Sequence, residues 1–183
     1  MTTFRRLILI GIVSMVASAM WATPAWAPTV GQPPAPGYPP CTKVGDNGRD
    51  LIRGTNRRDV ICPDEGNDVV YGKGGNDVIF GGNGRDKLYG GPGDDEFHAW
   101  AGNDRIWGEE GNDQMNGELG NDILVGGPGR DEFIGSSGND CFYAIDGEVD
   151  VLKGMKGIDH HESDPNDVIK GSTEGPADCY GPA

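Results

Sequence analysis

The sequence predicts an all-β fold in which short strands and glycine-rich turns alternate and stack. A nine-residue repeat is the first observation behind this prediction: in the stretch GGNDVIFGGNGRDKLYG, residues 74–90, the Gly-X-Asp that ends at Asp77 returns at Asp86. The second is composition, because the 183 residues include 32 glycines and only 36% are hydrophobic, too few for a conventional layered core. The third is the formal net charge of −14, which reflects an excess of acidic residues.

The repeat extends over fourteen frames between Gly45 and Lys170, such as PDEGNDVVY, GKGGNDVIF and GELGNDILV. The fourth position is almost always glycine, which permits a turn with φ > 0, and the fifth is often asparagine, which also tolerates a left-handed backbone. The sixth is aspartate and the eighth is apolar, so we expect a six-residue turn and a three-residue strand with its central side chain buried. The central positions are Ile52, Ile61, Val70, Ile79, Leu88, Phe97, Ile106, Met115, Leu124, Phe133, Phe142, Leu152, His161 as the exception, and Ile169.

One buried side chain does not order nine residues. Fixing each residue costs roughly 1–2 kcal/mol of backbone entropy, whereas burying one Leu or Ile returns about 1.5–3 kcal/mol. Stacking adds strand hydrogen bonds of about 1 kcal/mol each, but it also brings the sixth-position aspartates into line, where like charges repel. A cation between the stacked turns is therefore expected.

The charge balance and the residue motifs exclude several classes of function. The basic residues are scattered in an acidic chain, so nucleic acids and anionic membrane surfaces are poor partners. The sequence has no His-Glu-x-x-His motif and no nucleophile elbow. We expect the protein to have no enzymatic activity.

The N-terminal region has the pattern of a secretory signal peptide. Arg5 and Arg6 precede an apolar run, residues 7–16, which is too short for a comfortable membrane span. Small residues follow, so we expect cleavage after Ala27 or earlier, after Ala19, and a secreted, extracellular protein with no membrane span in its mature form; a retained N-terminal anchor is the alternative. Residues 28–40 are a proline-rich linker expected to be extended and mobile, residues 41–170 are the repeat domain, and residues 171–183 are a C-terminal cap or tail.

The columns Gly-Gly-X-Gly-X-Asp-X-(apolar)-X resemble the RTX nonapeptide repeat. This resemblance implies a parallel β-roll, a β-solenoid with two nonads per coil, that binds Ca²⁺ between loops eighteen residues apart and folds upon binding. Six to eight hard oxygen ligands suit Ca²⁺, whereas Mg²⁺ dehydrates reluctantly and prefers octahedral geometry, so it should compete poorly. Zinc prefers His or Cys. The resemblance implies about 7 to 10 ions, held by carboxylates and by carbonyl groups of the glycine-rich turns.

Carried over by column, the implied aspartate ligands form two sets, one on each side of the roll. One side has Asp50, Asp68, Asp86, Asp104, Asp122 and Asp140, and the other has Asp59, Asp77, Asp95, Asp113 and Asp131. The implied glycine ligands are Gly66, Gly75, Gly84, Gly93, Gly102, Gly111, Gly120, Gly129 and Gly138.

Some frames depart from the pattern. Arg57 replaces the fourth-position glycine of the second frame, so we expect weak binding by the Asp59 loop. Residues 99–101, Ala-Trp-Ala, replace the glycine pair of the seventh frame. An extra residue near Val149 should bulge the roll, and beyond it His160, His161 and Pro165 indicate a degenerate or capping end.

The chain has four cysteines, an even number that suggests disulfides in a secreted protein. In the implied roll, Cys62 and Cys141 lie about four coils or roughly 20 Å apart, too far for a bond. We therefore predict the pairs Cys41–Cys62 and Cys141–Cys179, with free or intermolecular thiols as the alternative.

Aromatic residues in the ninth column allow two interpretations, ligand binding or stabilisation of the sheet. Tyr71, Tyr89, Trp107 and Tyr143 recur on one implied sheet, with Lys87 and Arg105 nearby, whereas the other sheet has Phe80, His98, Asn116 and Ile134. Such a ladder suits an extracellular adhesin or glycan-binding module, with a cell-surface glycan or matrix as partner and calcium as scaffold. We favour cross-strand stacking that stabilises the sheet. A fragment related to calcium-dependent hydrolases is a further alternative.

Overall fold

The computed structural model describes residues 37–171 and 173–174, where the chain is a parallel β-solenoid of strands without helix. Its sixteen strands alternate with turns as the repeat predicts. Their bounds are β1 Lys43–Val44, β2 Leu51–Arg53, β3 Val60–Cys62, β4 Val69–Tyr71, β5 Val78–Asn83, β6 Lys87–Tyr89, β7 Glu96–Ala101, β8 Arg105–Trp107, β9 Gln114–Asn116, β10 Ile123–Val125, β11 Glu132–Ser137, β12 Cys141–Ala144, β13 Val151–Lys156, β14 Asp159–Ser163, β15 Val168–Lys170 and β16 Thr173–Glu174.

The strands form two parallel eight-stranded sheets. The first sheet contains the odd-numbered strands in the order β1 to β15, and the second contains the even-numbered strands in the order β2 to β16. Consecutive strands of one sheet are eighteen residues apart, as in the register Tyr71 with Tyr89 and Tyr89 with Trp107. The prediction of a β-roll with two nonads per coil is confirmed. The described residues contain no helix of the length and apolarity needed to cross a membrane.

The eighth-position side chains form one thin core between the sheets. Eleven of them are at most 1% exposed, and Ile52 in the first complete coil packs against this cluster. In the last coil, Ile169 is 44% exposed. The buried set is Ile61, Val70, Ile79, Leu88, Phe97, Ile106, Met115, Leu124, Phe133, Phe142 and Leu152.

The irregular frames change the register where the sequence indicates. β11 pairs with β13 with Glu132 opposite Val151, nineteen residues on, because of the extra residue before Asp150. β13 then pairs with β15 with Val151 opposite Val168, seventeen residues on. The insertion and the short frame are therefore absorbed in turns, and the parallel stack continues through them.

A second, smaller apolar cluster lies on the outer face of the first sheet. It consists of Val60, Cys62, Val78 and Phe80, packed against Tyr38, Cys41 and Trp100. Tyr38 belongs to the predicted linker, but its ring contacts Phe80 at 5.2 Å and its hydroxyl lies 2.9 Å from His98 Nε2. The expectation of an extended, mobile linker is wrong at this residue, because the outward Val and Phe side chains provide a surface for it.

The predicted disulfide between Cys41 and Cys62 is present, with Cα atoms 6.0 Å apart. It holds the segment before β1 against β3. Among the described residues no cysteine is free, and Cys141 is buried in β12. Its predicted partner, Cys179, lies outside the described residues, as do the predicted signal peptide and most of the linker.

We expected that the fifth-position asparagines could adopt a left-handed backbone conformation. This expectation is wrong, because none of those in the described residues has a positive φ angle. Positive φ angles occur at the second and fourth positions instead, for example 83° at Lys73 and 141° at Gly84. The fifth-position asparagine uses its side chain: the Oδ1 atoms of Asn67, Asn103 and Asn121 accept backbone N–H groups one coil further on, at 2.8–3.0 Å. The amide side chain thus joins turns rather than relieving strain within one.

The aromatic residues of the second sheet stack face to face. The Tyr71 and Tyr89 rings are 4.8 Å apart and within 10° of parallel, and those of Tyr89 and Trp107 are 4.5 Å apart and within 4°. Val125 separates Trp107 from Tyr143 in the register. Within the stack each ring covers the face of the next, which is the geometry of the cross-strand stabilisation we favoured.

Close approach of successive coils predicts a sharp difference between two glycines. A Cβ atom on Gly84, at φ 141°, would overlap the carbonyl oxygen of Gly66, whereas on Gly74 its nearest neighbour, the Pro92 carbonyl oxygen, would be 3.6 Å away. We expect Gly84→Ala to lower the free energy of unfolding by about 1–3 kcal/mol or more. Gly74→Ala, the matched control, should change it by less than about 0.5 kcal/mol. Urea unfolding in calcium measures both, and equal effects would contradict this packing.

Candidate metal centre

Two ladders of aspartates run along the roll, one at each line of turns. In each ladder the backbone N–H of one sixth-position aspartate donates to Oδ1 of the aspartate one coil further on, at 2.7–3.0 Å. The structure thus brings together both predicted sets and extends each of them. The first ladder is Asp50, Asp68, Asp86, Asp104, Asp122, Asp140 and Asp159, and the second is Asp59, Asp77, Asp95, Asp113, Asp131, Asp150 and Asp167.

The second carboxylate oxygen of most ladder aspartates has no hydrogen-bond partner. Eleven Oδ2 atoms are buried and unpartnered, and their residues are at most 2% exposed. Leaving so many buried acceptors unpaired is costly, since each loses its contacts with water. The atoms belong to Asp68, Asp77, Asp86, Asp95, Asp104, Asp113, Asp122, Asp131, Asp140, Asp150 and Asp159.

Backbone oxygens converge on these unpartnered atoms at the first-position glycines. A Cβ atom on Gly72 would lie 2.5 Å from Asp77 Oδ2 and 2.6 Å from the carbonyl oxygen of Gly90, in the next coil. A Cβ atom on Gly108 would likewise meet Asp113 Oδ2, and the Gly126 carbonyl oxygen at 2.7 Å. Glycine at the first position leaves this oxygen-lined space open, and a side chain there would fill it.

The fourth-position glycines that the resemblance implied as ligands lie on the Oδ1 side. A Cβ atom on Gly102 would overlap the Gly84 carbonyl oxygen and lie 3.0 Å from Asp104 Oδ1. At Gly72 and Gly108, the carbonyl oxygens near the unpartnered Oδ2 atoms belong to first-position glycines, Gly90 and Gly126. Sequence reasoning did not select these residues, although their signal was visible, because glycine is also frequent in the first column, as at Gly72, Gly90 and Gly108.

The donor set fits a hard divalent cation. Carboxylate and carbonyl oxygens are the ligands that Ca²⁺ prefers, usually six to eight of them. Within residues 37–171 and 173–174 no three His, Cys, Asp or Glu side chains cluster as metal ligands, so carbonyl groups would have to complete any shell. That composition favours calcium over zinc, which selects nitrogen and sulfur donors.

Burial makes the ladder carboxylates reluctant to ionise without a cation. Desolvation raises the pKa of Asp86, Asp95, Asp104, Asp113 and Asp122 to about 7, and repulsion between neighbouring ladder carboxylates adds to it, although a backbone N–H bond opposes the shift. The pKa values of Asp131 and Asp140 are likewise raised to about 7. A bound cation would favour the ionised form, so metal uptake and proton release are linked.

The aspartates at the N-terminal end differ from the rest. Asp59 Oδ2 accepts from the backbone N–H and the hydroxyl of Thr55, and its Oδ1 from the Thr42 hydroxyl at 3.1 Å. Burial works to raise the pKa of Asp59, but these hydrogen bonds outweigh it and the net pKa is lowered. Asp50 Oδ2 accepts the backbone N–H of Asp46 at 2.7 Å. Both carboxylates are already satisfied, which distinguishes them from the eleven others.

The raised pKa values predict opposite pH dependence without and with calcium. In metal-free protein, ladder carboxyls with a pKa near 7 bind more protons folded than unfolded, where the ordinary value is about 4. Their contribution to stability is therefore complete below about pH 4 and is lost as pH rises through 7. In metal-stripped protein the strand signal in circular dichroism should therefore be weaker at pH 8 than at pH 4.5. Saturating calcium should reverse this order, and an unchanged order would contradict the ladder electrostatics.

The comparisons with known proteins agree with this geometry. The family model described as the RTX calcium-binding nonapeptide repeat (4 copies) matches residues 64–97, 89–124 and 116–144. These stretches contain most of the unpartnered ladder aspartates. No curated protein matches the chain. Residues 64–144 therefore match the RTX calcium-binding nonapeptide repeat family, and the solenoid that contains them has the architecture of a β-roll of such repeats.

Proposed function

We propose that this protein is secreted and that its roll folds when Ca²⁺ binds between successive coils. The eleven buried Oδ2 atoms without hydrogen-bond partners carry this proposal. A purely structural turn would pair such oxygens with hydrogen-bond donors, as Asp59 does with the Thr55 N–H and with the Thr55 and Thr42 hydroxyl groups. None of the eleven has such a donor, and the Oδ2 atoms of Asp77 and Asp113 lie near carbonyl oxygens of the next coil, an arrangement that a cation stabilises and that is repulsive without one.

The ligands follow from the two ladders. Each ion would be held by the Oδ2 atom of a ladder aspartate together with first-position carbonyl oxygens, such as those of Gly90 and Gly126, while Oδ1 joins adjacent coils. Calcium supplies the positive charge that keeps the carboxylates ionised in a buried position. The ladders support about seven to ten ions, with Asp50 and Asp59 contributing least because their oxygens are already paired.

Folding upon binding follows from the thin core. Eleven of the nonads bury one eighth-position side chain fully, and that burial is small against the entropy of nine residues. The free energy of calcium binding would add to the stability of the folded state alone, since the unfolded chain holds no such oxygen cluster. Low calcium would leave the chain unfolded, and extracellular calcium at roughly 10⁻⁴–10⁻³ M would fold it.

Secretion is supported by the Cys41–Cys62 disulfide and by the signal-peptide pattern of residues 1–27. Disulfides form and persist in oxidising compartments. Outside the cell, an oxidising environment that preserves the disulfide and a supply of calcium would occur together.

We propose no enzymatic activity for this chain. The buried carboxylates are joined in ladders through their Oδ1 atoms and are not arranged as an acid–base pair. His98 contacts the Glu96 and Glu118 carboxylates, but it stacks on Phe80 at 5.3 Å under the Tyr38 segment, which is a packing role. Both faces of the Tyr71 and Tyr89 rings are covered by their neighbours in the stack, so these rings do not favour the adhesin alternative.

Calcium titration of matched variants tests the proposal. In the metal-stripped wild type, calcium should produce a strand signal in circular dichroism, and magnesium at equal concentration should not. Asp77→Asn should bind at least one ion fewer by isothermal titration calorimetry and need more calcium to fold. Asp94→Asn is the control, because Asp94 is exposed at the fifth position and its Oδ1 acceptor is retained. Full strand signal in the absence of divalent ions, or equal effects of both variants, would refute the proposal.

A further inference from the structure

The aromatic stack on the second sheet has a defined beginning. The guanidinium of Arg53 lies over the Tyr71 ring, 5.7 Å from its centroid. Tyr89 and Trp107 continue the stack at 4.8 and 4.5 Å. The faces of Tyr71 and Tyr89 are thus covered on both sides, and Trp107 has Tyr89 on one side only among the described ring contacts.

One rung of the stack is missing after Trp107. Val125 occupies the next register position and Tyr143 the one after it. Two strand spacings of about 4.8 Å place Trp107 and Tyr143 roughly 9–10 Å apart along the roll. Between them is a cavity of about 280 Å³ lined by Arg105, Trp107, Ile123, Val125 and Tyr143. We call this cavity the ring slot.

The ring slot has positive charge at its edge. Arg105 lines it and also lines an adjoining cleft of about 440 Å³ together with Arg85 and Lys87. None of these three cations forms an ion pair within the described ranges, where the ion pairs involve His98 and Lys153. Asp86 and Asp104 also line the cleft, but they are buried ladder residues that calcium would neutralise. An acidic protein of net charge −14 thus places unpaired cations beside an open aromatic face.

We propose that the ring slot binds a single aromatic ring that carries a carboxylate. The ring would stack on the open face of Trp107 at the 4.5–4.8 Å spacing already seen between Tyr71, Tyr89 and Trp107. Its carboxylate would pair with Arg105, whose planar guanidinium suits bidentate contact. Val125 forms the floor because its short side chain leaves the height of one ring unfilled. This site is separate from the calcium ladders, which lie at the turns.

The test uses calcium-loaded, full-length secreted protein and phenylacetate as the probe. Titration followed by ¹H–¹⁵N NMR should show saturable shifts at Arg105, Trp107 and Val125, with a Kd on the order of 1–10 mM for so small a ligand. Trp107→Ala and Val125→Tyr, which fills the missing rung, should each weaken binding at least tenfold. Tyr71→Ala, at the far end of the same stack, is the matched control and should change Kd less than twofold.

Two further ligands separate ring recognition from charge recognition. 2-Phenylethanol, which lacks the carboxylate, should bind several-fold more weakly, and glucuronate, which lacks the aromatic ring, should not bind. If glucuronate binds as tightly as phenylacetate, or if Val125→Tyr binds phenylacetate normally while retaining the strand signal, the inference is wrong. Should Val125→Tyr lack the strand signal, Val125→Leu, with a smaller filling side chain, takes its place with the same expected direction.

Discussion

The roll depends on one repeated contact, the hydrogen bond from a backbone N–H to the Oδ1 atom of the aspartate one coil further on. This bond uses one carboxylate oxygen to set the coil spacing and leaves the other buried beside carbonyl groups. A carboxylate in that position is unfavourable when charged and alone, as the pKa of about 7 at Asp104 indicates. On the proposed function, the architecture therefore requires calcium at the point where its coils are joined.

This requirement accounts for the composition. Because the core takes only the eighth-position side chain from a nonad, the chain needs few apolar residues and many glycines. First-position glycines keep space beside the Oδ2 atoms, and the Gly84 position lets its coil pass against the Gly66 carbonyl group. At the N-terminal end, the Cys41–Cys62 disulfide and Tyr38 cover the outer face of the first sheet. Near this end the carboxylate of Asp59 accepts hydrogen bonds from threonine hydroxyl groups.

The nine-residue period was sufficient to predict the short strands and the buried eighth position, because spacing is visible directly in a sequence. The two sheets and the alignment of aspartates such as Asp86 with Asp104 came from the resemblance to the RTX repeat. The roles of Asn67 and Tyr38 did not follow, because a side-chain bond to the next coil and a segment folded back on a sheet depend on distances between residues far apart in sequence. The first-position carbonyls were missed for a related reason, since a glycine column indicates backbone freedom and does not show which oxygen it exposes.

The position of calcium in the ladders tests the central claim most directly. Anomalous diffraction from crystals grown in calcium would locate each ion independently of any assumption about the ligands. Two rows of peaks are expected, one along each ladder, within about 2.3–2.6 Å of Oδ2 atoms such as those of Asp86 and Asp113. Ordered ladders with no peak beside these oxygens, or with ions bound only elsewhere on the surface, would contradict the account.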